Sequence, residues 1–229
     1  PLCEYLHELI KVPVVMTNDA NAAALGEMIF GGANNMKDFI VLTLGTGLGS
    51  GIVVNRQVVY GHTGFAGELG HMVLVPGGRA CGCGKHGHTE TYASATGLVR
   101  NVLELLSEMK ETTPLRDIPP SQLSAKMISE AASNNDPVAA RAMQHTAEML
   151  GFCIINSIIF SSPEAIFLFG GLAQAGEILF APVREYVDAN VMPIFKGTCK
   201  ILPSAIPENN AAVMGAAALA WNEIKSPGF

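Results

Sequence analysis

A mixed α/β fold is what this 229-residue sequence predicts, and three observations carry the expectation. Short continuous apolar runs rich in β-branched and aromatic residues, "FIVLTL" from Phe39 and "AIFLFGG" from Ala165, have the length and composition of buried strands. Longer stretches place apolar residues at helical spacing, as Leu98, Val102, Leu105, Leu106 and Met109 do. The two kinds of segment are mixed along the chain, which is the pattern of an α/β architecture.

Taken in order, "VPVVMT" (Val12 to Thr17) reads as a buried strand, and "NDANAAALGEMIF" as a helix whose N-cap lies at Asn18 or Asp19. Gly31 and Gly32 stop it. After the strand at Phe39 come a glycine loop, "GTGLGSG", and "IVVNRQVVYG", two further strands joined at Asn55-Arg56. Residues 61–90 are dense in glycine and hold no sustained period, so they predict an irregular loop that needs a staple. A helix follows from about Tyr92 to Lys110, then "KETTPLRDIPPSQ", expected to be an exposed and mobile connection. Asp136-Pro137 has the N-cap and N1 chemistry that opens a long helix running into "CIINSIIF". Beyond the strand at Ala165 the sequence predicts a helix over 174–190, a short strand near "CKILPS" and a terminal helix, "NNAAVMGAAALAW".

Composition excludes several classes. With a formal charge of −6 and 14 Lys and Arg scattered singly, the chain offers no basic stripe for a nucleic-acid backbone. Its most apolar stretches are too short to span a bilayer. No basic segment precedes an apolar signal-like run, and Cys3, Cys153 and Cys199 lie far apart in apolar surroundings, which suits reduced thiols in a cytoplasm.

The loop "LGTGLGSG" (Leu44 to Gly51) invites a dinucleotide-binding reading, but such a fingerprint opens a helix, and here the chain continues as strand. The loop is therefore a hairpin tip, in which Gly45, Gly47 and Gly49 offer N–H donors to phosphoryl oxygens and Thr46 adds a hydroxyl. A tight glycine turn without a ligand reads equally well from these residues alone. Cys81, Cys83 and His88 in "CGCGKHGH", with His71 ten residues before Cys81, can close a tetrahedral zinc site; two free thiols are the alternative, and His86 leaves the ligand set open. Asp19 reads either as a helix cap or as a base toward a hydroxyl attacking phosphorus. Glu68 and Glu90 flank the Cys/His loop, where fixed carboxylates suit hydrogen bonding to sugar hydroxyls, although each alone reads as a solvated surface Glu.

In order, "NDANAAALGE", "LTLGTGLGSGIV", "GHTGFAGELGH", "CGCGKHGHTE" and "FLFGGLAQAGE" cover nearly the whole chain, and together they resemble the ROK family of bacterial repressors and sugar kinases. The resemblance implies an actin-like ATPase (ribonuclease H-like) fold closing on sugar and ATP. It implies Asp19 as catalytic base, Asn18, Glu68, His71 and Glu90 as hexose ligands, and Gly45, Thr46 and Gly47 at the ATP phosphates. Gly170 and Gly171 are expected beside the adenosine, magnesium with the ATP, and zinc on His71, Cys81, Cys83 and His88. His88 stands where the family's zinc motif has a third Cys, and imidazole is a competent substitute.

The family's opening DxGGT phosphate turn does not occur in the sequence. The expectation is that residues 1–38 are a remnant of the small lobe, 39–208 the large lobe, and 209–229 a helix returning to the small lobe. The activity the resemblance implies is ATP-dependent phosphorylation of a hexose, glucose or else an amino-sugar, in a cytoplasmic homodimer, with this chain inactive alone and the face owed to the missing strands exposed. The rival is the sugar-sensing domain of a repressor, whose helix-turn-helix would precede Pro1 where a kinase has DxGGT. A zinc-stapled interaction domain without activity is the third reading.

Overall fold

The structure, a computed structural model, describes residues 2–207 and 210–224, so the boundary expected at 208–209 and the final five residues lie outside the described residues. Among the described residues are seven α-helices, five strands and several short 3-10 turns: α1 (Leu2–Ile10), α2 (Asp19–Phe30), β1 (Phe39–Leu44), β2 (Leu48–Val54), β3 (Gln57–Val58), α3 (Ala95–Glu108), α4 (Ala125–Ser133), α5 (Pro137–Ser161), β4 (Ala165–Phe169), α6 (Glu177–Asn190), β5 (Lys200–Pro203) and α7 (Ala211–Ile224). The strands form one sheet in the order β3-β2-β1-β4-β5. β2 alone runs against the rest, being antiparallel to β1 and β3, while β1, β4 and β5 are parallel neighbours.

β1 is apolar on both faces because both are covered, as the central strands of a parallel sheet require. Ile40, Leu42, Leu44, Ile166 and Leu168 face a core built with Leu98 of α3, Ile128 of α4, Leu150, Ile154 and Ile158 of α5, and Val183 of α6. Phe39, Val41 and Phe167 face the other way, onto Ala24, Leu25 and Met28 of α2 and Ala218 and Leu219 of α7. The result is a three-layer helix–sheet–helix body.

Local chemistry sets the element ends that position the site. Asn55 and Arg56 both take positive φ, 52° and 62°, the paired left-handed geometry of a two-residue hairpin turn. The Asp136 carboxylate accepts the Ala139 N–H at 2.8 Å and caps α5, with Pro137 at its first turn. Gly51 lets α2 press onto β2, since a Cβ there would lie 2.6 Å from the Ala20 carbonyl oxygen.

Two expectations need correction. Val12–Thr17 pairs with no strand; it is an extended segment whose Val15, Met16 and Thr17 wall a cleft, and Pro13 lacks the N–H a ladder needs. Gly49 belongs to β2, opposite Thr43, so the hairpin tip is only Gly45–Gly47. The connection after α3 is largely exposed, as expected, with Thr113 and Leu115 buried and the Arg116 guanidinium donating to the carbonyls of Leu106 and Met109. No helix among the described residues is long and apolar enough to cross a membrane.

Candidate active site

The N-terminus of α2 settles which residue caps it. The Asn18 Oδ1 accepts the Asn21 N–H at 2.7 Å, so Asn18 is the cap. Asp19 is thereby released from capping. One of its carboxylate oxygens takes the Ala20 N–H at 2.9 Å, and the exposed side chain borders a cleft of about 920 Å³.

Across the cleft stands the tip of the β1–β2 hairpin. All three of its carbonyls are engaged: Gly45 O accepts the Ala95 N–H at 2.9 Å, Thr46 O the Thr96 hydroxyl at 2.6 Å, and Gly47 O the Gly45 N–H at 3.1 Å. Among the described residues nothing accepts the N–H of Thr46 or Gly47. A tip with bound carbonyls and unspent N–H groups has donors to offer an anion.

The third wall comes from the end of β4. Gly170 has φ +98°, and a Cβ there would lie 2.9 Å from the Leu44 carbonyl oxygen, so only glycine lets the chain turn this close to β1. Gly170 and Gly171 line the same cleft as Asn18, Asp19, Gly45, Thr46, Gly47 and Glu90. Thus eight of the residues singled out from the sequence face one space.

Glu68 and His71 do not line it. They sit behind Glu90, on a turn seated against β2, where the Ser50 hydroxyl donates to Gly67 O and accepts the Leu69 N–H at 3.2 Å. His71 Nε2 lies 4.0 Å from Glu68 Oε2 and its Nδ1 4.0 Å from Glu90 Oε1, so His71 stands between the two carboxylates.

His71, Cys81, Cys83 and His88 converge, with one ligand atom from each lying within 4.8 Å of all the others. The two Nδ1 atoms are 3.3 Å apart, Cys81 Sγ is 3.7 Å from His71 Nδ1, and Cys83 Sγ is 3.3 Å from His88 Nδ1. Bonds of about 2.0–2.1 Å to nitrogen and 2.3 Å to sulfur in a tetrahedron require edges of roughly 3.3–3.8 Å; these three separations fall in that range, so the donor set is compatible with zinc. His86, which spacing left as a candidate, is exposed and outside the cluster. Arg79 braces the loop from outside: its guanidinium stacks over the Tyr92 ring at 4.4 Å and donates to Thr91 O at 2.7 Å, while its carbonyl accepts the Gly87 N–H.

The cluster touches the cleft through one residue. The Cys81 thiol donates to Glu90 Oε1 at 2.9 Å, and burial, with this contact second, pushes the thiol up to about 11. Sequence reasoning missed Ser94 and Thr96, which start α3 beneath the hairpin tip; the Ser-x-Thr pattern at a helix start was the available signal.

A model of the ROK family matches residues 1–223. The chain belongs to the ROK family. It is 42% identical over 195 residues to a glucokinase of Halalkalibacterium halodurans, an alignment covering 84% of this chain and 59% of that protein, so the chain spans less than two thirds of that relative. Among solved ROK structures it resembles a glucokinase from Streptomyces griseus in complex with glucose and AMPPNP, with a TM-score of 0.82, 33% identity and coverage of 97% of this chain and 72% of that one. It equally resembles a ROK family transcriptional regulator, a homologue of the E. coli MLC protein, with a TM-score of 0.85, 30% identity and coverage of 96% and 55%. The fold is the actin-like ATPase fold of these relatives. Shape alone does not separate ROK kinase from ROK regulator, and the chemistry of the cleft has to.

Proposed function

We propose that this chain forms the hexose site and much of the nucleotide site of a ROK sugar kinase, which moves the terminal phosphoryl group of ATP to a hexose hydroxyl. The observation that carries the reading is the cleft that Asp19 shares with the hairpin tip. A general base on one wall faces an anion-binding loop on the other, which is the arrangement that phosphoryl transfer needs. Glucose, at its 6-hydroxyl, is the first candidate substrate, and an amino-sugar the next.

In this mechanism Asn18 and Glu90 take sugar hydroxyls, with Glu68 and His71 completing the grip from behind Glu90. The Asp19 carboxylate accepts the proton of the hydroxyl that attacks phosphorus. The N–H groups of Thr46 and Gly47 and the Thr46 hydroxyl hold phosphate oxygens, and the flat Gly170–Gly171 turn admits the adenosine. Magnesium, bound with ATP, would neutralise phosphate charge. Zinc held by His71, Cys81, Cys83 and His88 would fix the loop that carries Glu90.

A sensor needs a sugar pocket but neither a base nor a phosphate loop, so both features favour the kinase over the regulator. In the protein that carries this chain, Asp19→Asn should lower hexose phosphorylation, followed by ADP release, on the order of a hundredfold or more while glucose still binds in calorimetry. Wild-type protein that binds glucose yet releases no ADP from any hexose would replace the kinase reading with the sensor.

A further inference from the structure

The hairpin tip presents donors to the cleft only because its peptide planes are turned one way, and a single exposed side chain outside the cleft helps to turn them. In a trans peptide the C=O of one residue and the N–H of the next point in opposite directions, and no peptide among the described residues is cis. The Thr96 hydroxyl holds Thr46 O at 2.6 Å on the α3 side of the tip. The Gly47 N–H is therefore directed away from α3, toward the cleft. The Ala95 N–H on Gly45 O does the same for the Thr46 N–H, but as backbone it cannot be removed by substitution.

Proton counting isolates Thr96 further. Its oxygen lies 3.1 Å from Ser94 Oγ, but the Ser94 proton goes to Glu90 O at 2.6 Å and the Thr96 proton to Thr46 O. Each hydroxyl has one proton to give, so the two divide their work. Ser94 steadies the turn that carries Glu90, and Thr96 steadies the phosphate loop. Gly47 brings no side chain to hold the Thr46–Gly47 peptide, so the Thr96 hydroxyl on Thr46 O is what restrains that plane.

We propose that Thr96 is a positioning residue of the nucleotide site, fixing the Thr46–Gly47 peptide so that the Gly47 N–H meets a phosphate oxygen. This rests on the kinase reading above. Thr96→Val keeps the branched shape and removes the donor; Thr96→Ser keeps the donor.

The test is calorimetric titration of magnesium-AMPPNP, and separately of glucose, into wild type and both variants of the protein that carries this chain. Losing one charge-assisted hydrogen bond predicts AMPPNP affinity down by on the order of tenfold in Thr96→Val, unchanged glucose affinity, and recovery in Thr96→Ser. Equal AMPPNP affinity in wild type and Thr96→Val overturns the proposal, as does a parallel loss of glucose binding, which would mark Thr96 as merely structural. Wild type that binds glucose but no AMPPNP overturns the kinase reading itself and this inference with it.

Discussion

The Cys81 thiol and the Glu90 carboxylate are joined side chain to side chain, Sγ to Oε1 at 2.9 Å, while the other carboxylate oxygen faces the hairpin tip at Gly47. One residue therefore belongs to two sites, the Cys/His cluster and the cleft. On the kinase reading proposed above, Cys81 as a thiol competes for an oxygen that would take a sugar hydroxyl. As a metal-held thiolate it has no proton to give, and Oε1 becomes available.

Stripping metal with a chelator should accordingly weaken glucose binding by several-fold to about tenfold, the scale of one contested hydrogen bond to a charged group. Added zinc should restore it. Elemental analysis and calorimetry on the same sample check the expectation; equal affinity before and after stripping would show that Glu90 acts independently of the cluster.

Gly47→Ala tests the other side of Glu90. Gly47 is not among the residues at positive φ, so alanine meets no backbone strain, but its Cβ would come within 2.6 Å of Glu90 Oε2. The carboxylate has to move. Hexose KM should rise about tenfold, with unfolding stability changed by no more than roughly 0.5–1 kcal/mol because the tip lies outside both cores. A rise in nucleotide KM alone would place the clash elsewhere.

What the sequence made legible was local. β1 was readable because an uninterrupted apolar run is the signature of a strand covered on both faces, and α5 because Asp136 and Pro137 supply a complete helix start. Val12–Thr17 misled because apolar residues that wall a cleft have the composition of a strand without its pairing. The order of motifs along the chain, by resemblance, supplied the residues that face the cleft, which periodicity alone left as a cap, a turn and, in Glu90, a surface carboxylate. Thr96 was illegible since its role exists only through a carbonyl fifty residues earlier. Glu27 was silent for the same reason.

Glu27 is fully buried on α2, where Oε1 accepts the N–H groups of Gly32 at 2.7 Å and Ala205 at 3.1 Å, and Oε2 accepts the Ser204 hydroxyl at 2.5 Å. It ties the end of α2 to the segment after β5 and thereby sets the seat of Asp19 at the other end of the helix. Glu27→Gln keeps the shape, and the Ser204 hydroxyl can rotate to accept from the new amide, so a loss of about 1 kcal/mol is expected. Glu27→Ala removes the acceptor of three hydrogen bonds and opens a cavity at a fully buried position, and should cost roughly 3 kcal/mol. Denaturant unfolding of both variants should separate them; equal losses would mean the three hydrogen bonds contribute little.

Cys153 sets an alkaline limit on stability. It lies fully buried in the middle of α5, and burial pushes its thiol up to about 11 from an ordinary value near 9.0. The folded pKa is the higher one, so the folded chain holds the proton more tightly than the unfolded chain does. The resulting stability is fully present below about pH 9 and is lost as the pH rises toward 11, when the unfolded thiol ionises and the folded one does not. A separation of about two units corresponds to at most roughly 3 kcal/mol. Cys153→Ala should begin less stable, through the small cavity, yet decline less between pH 9 and 11 than wild type does. Urea midpoints measured across that range for both proteins check the sign, and parallel declines would assign the alkaline loss to other groups, among them Cys199, whose thiol burial raises to about 12.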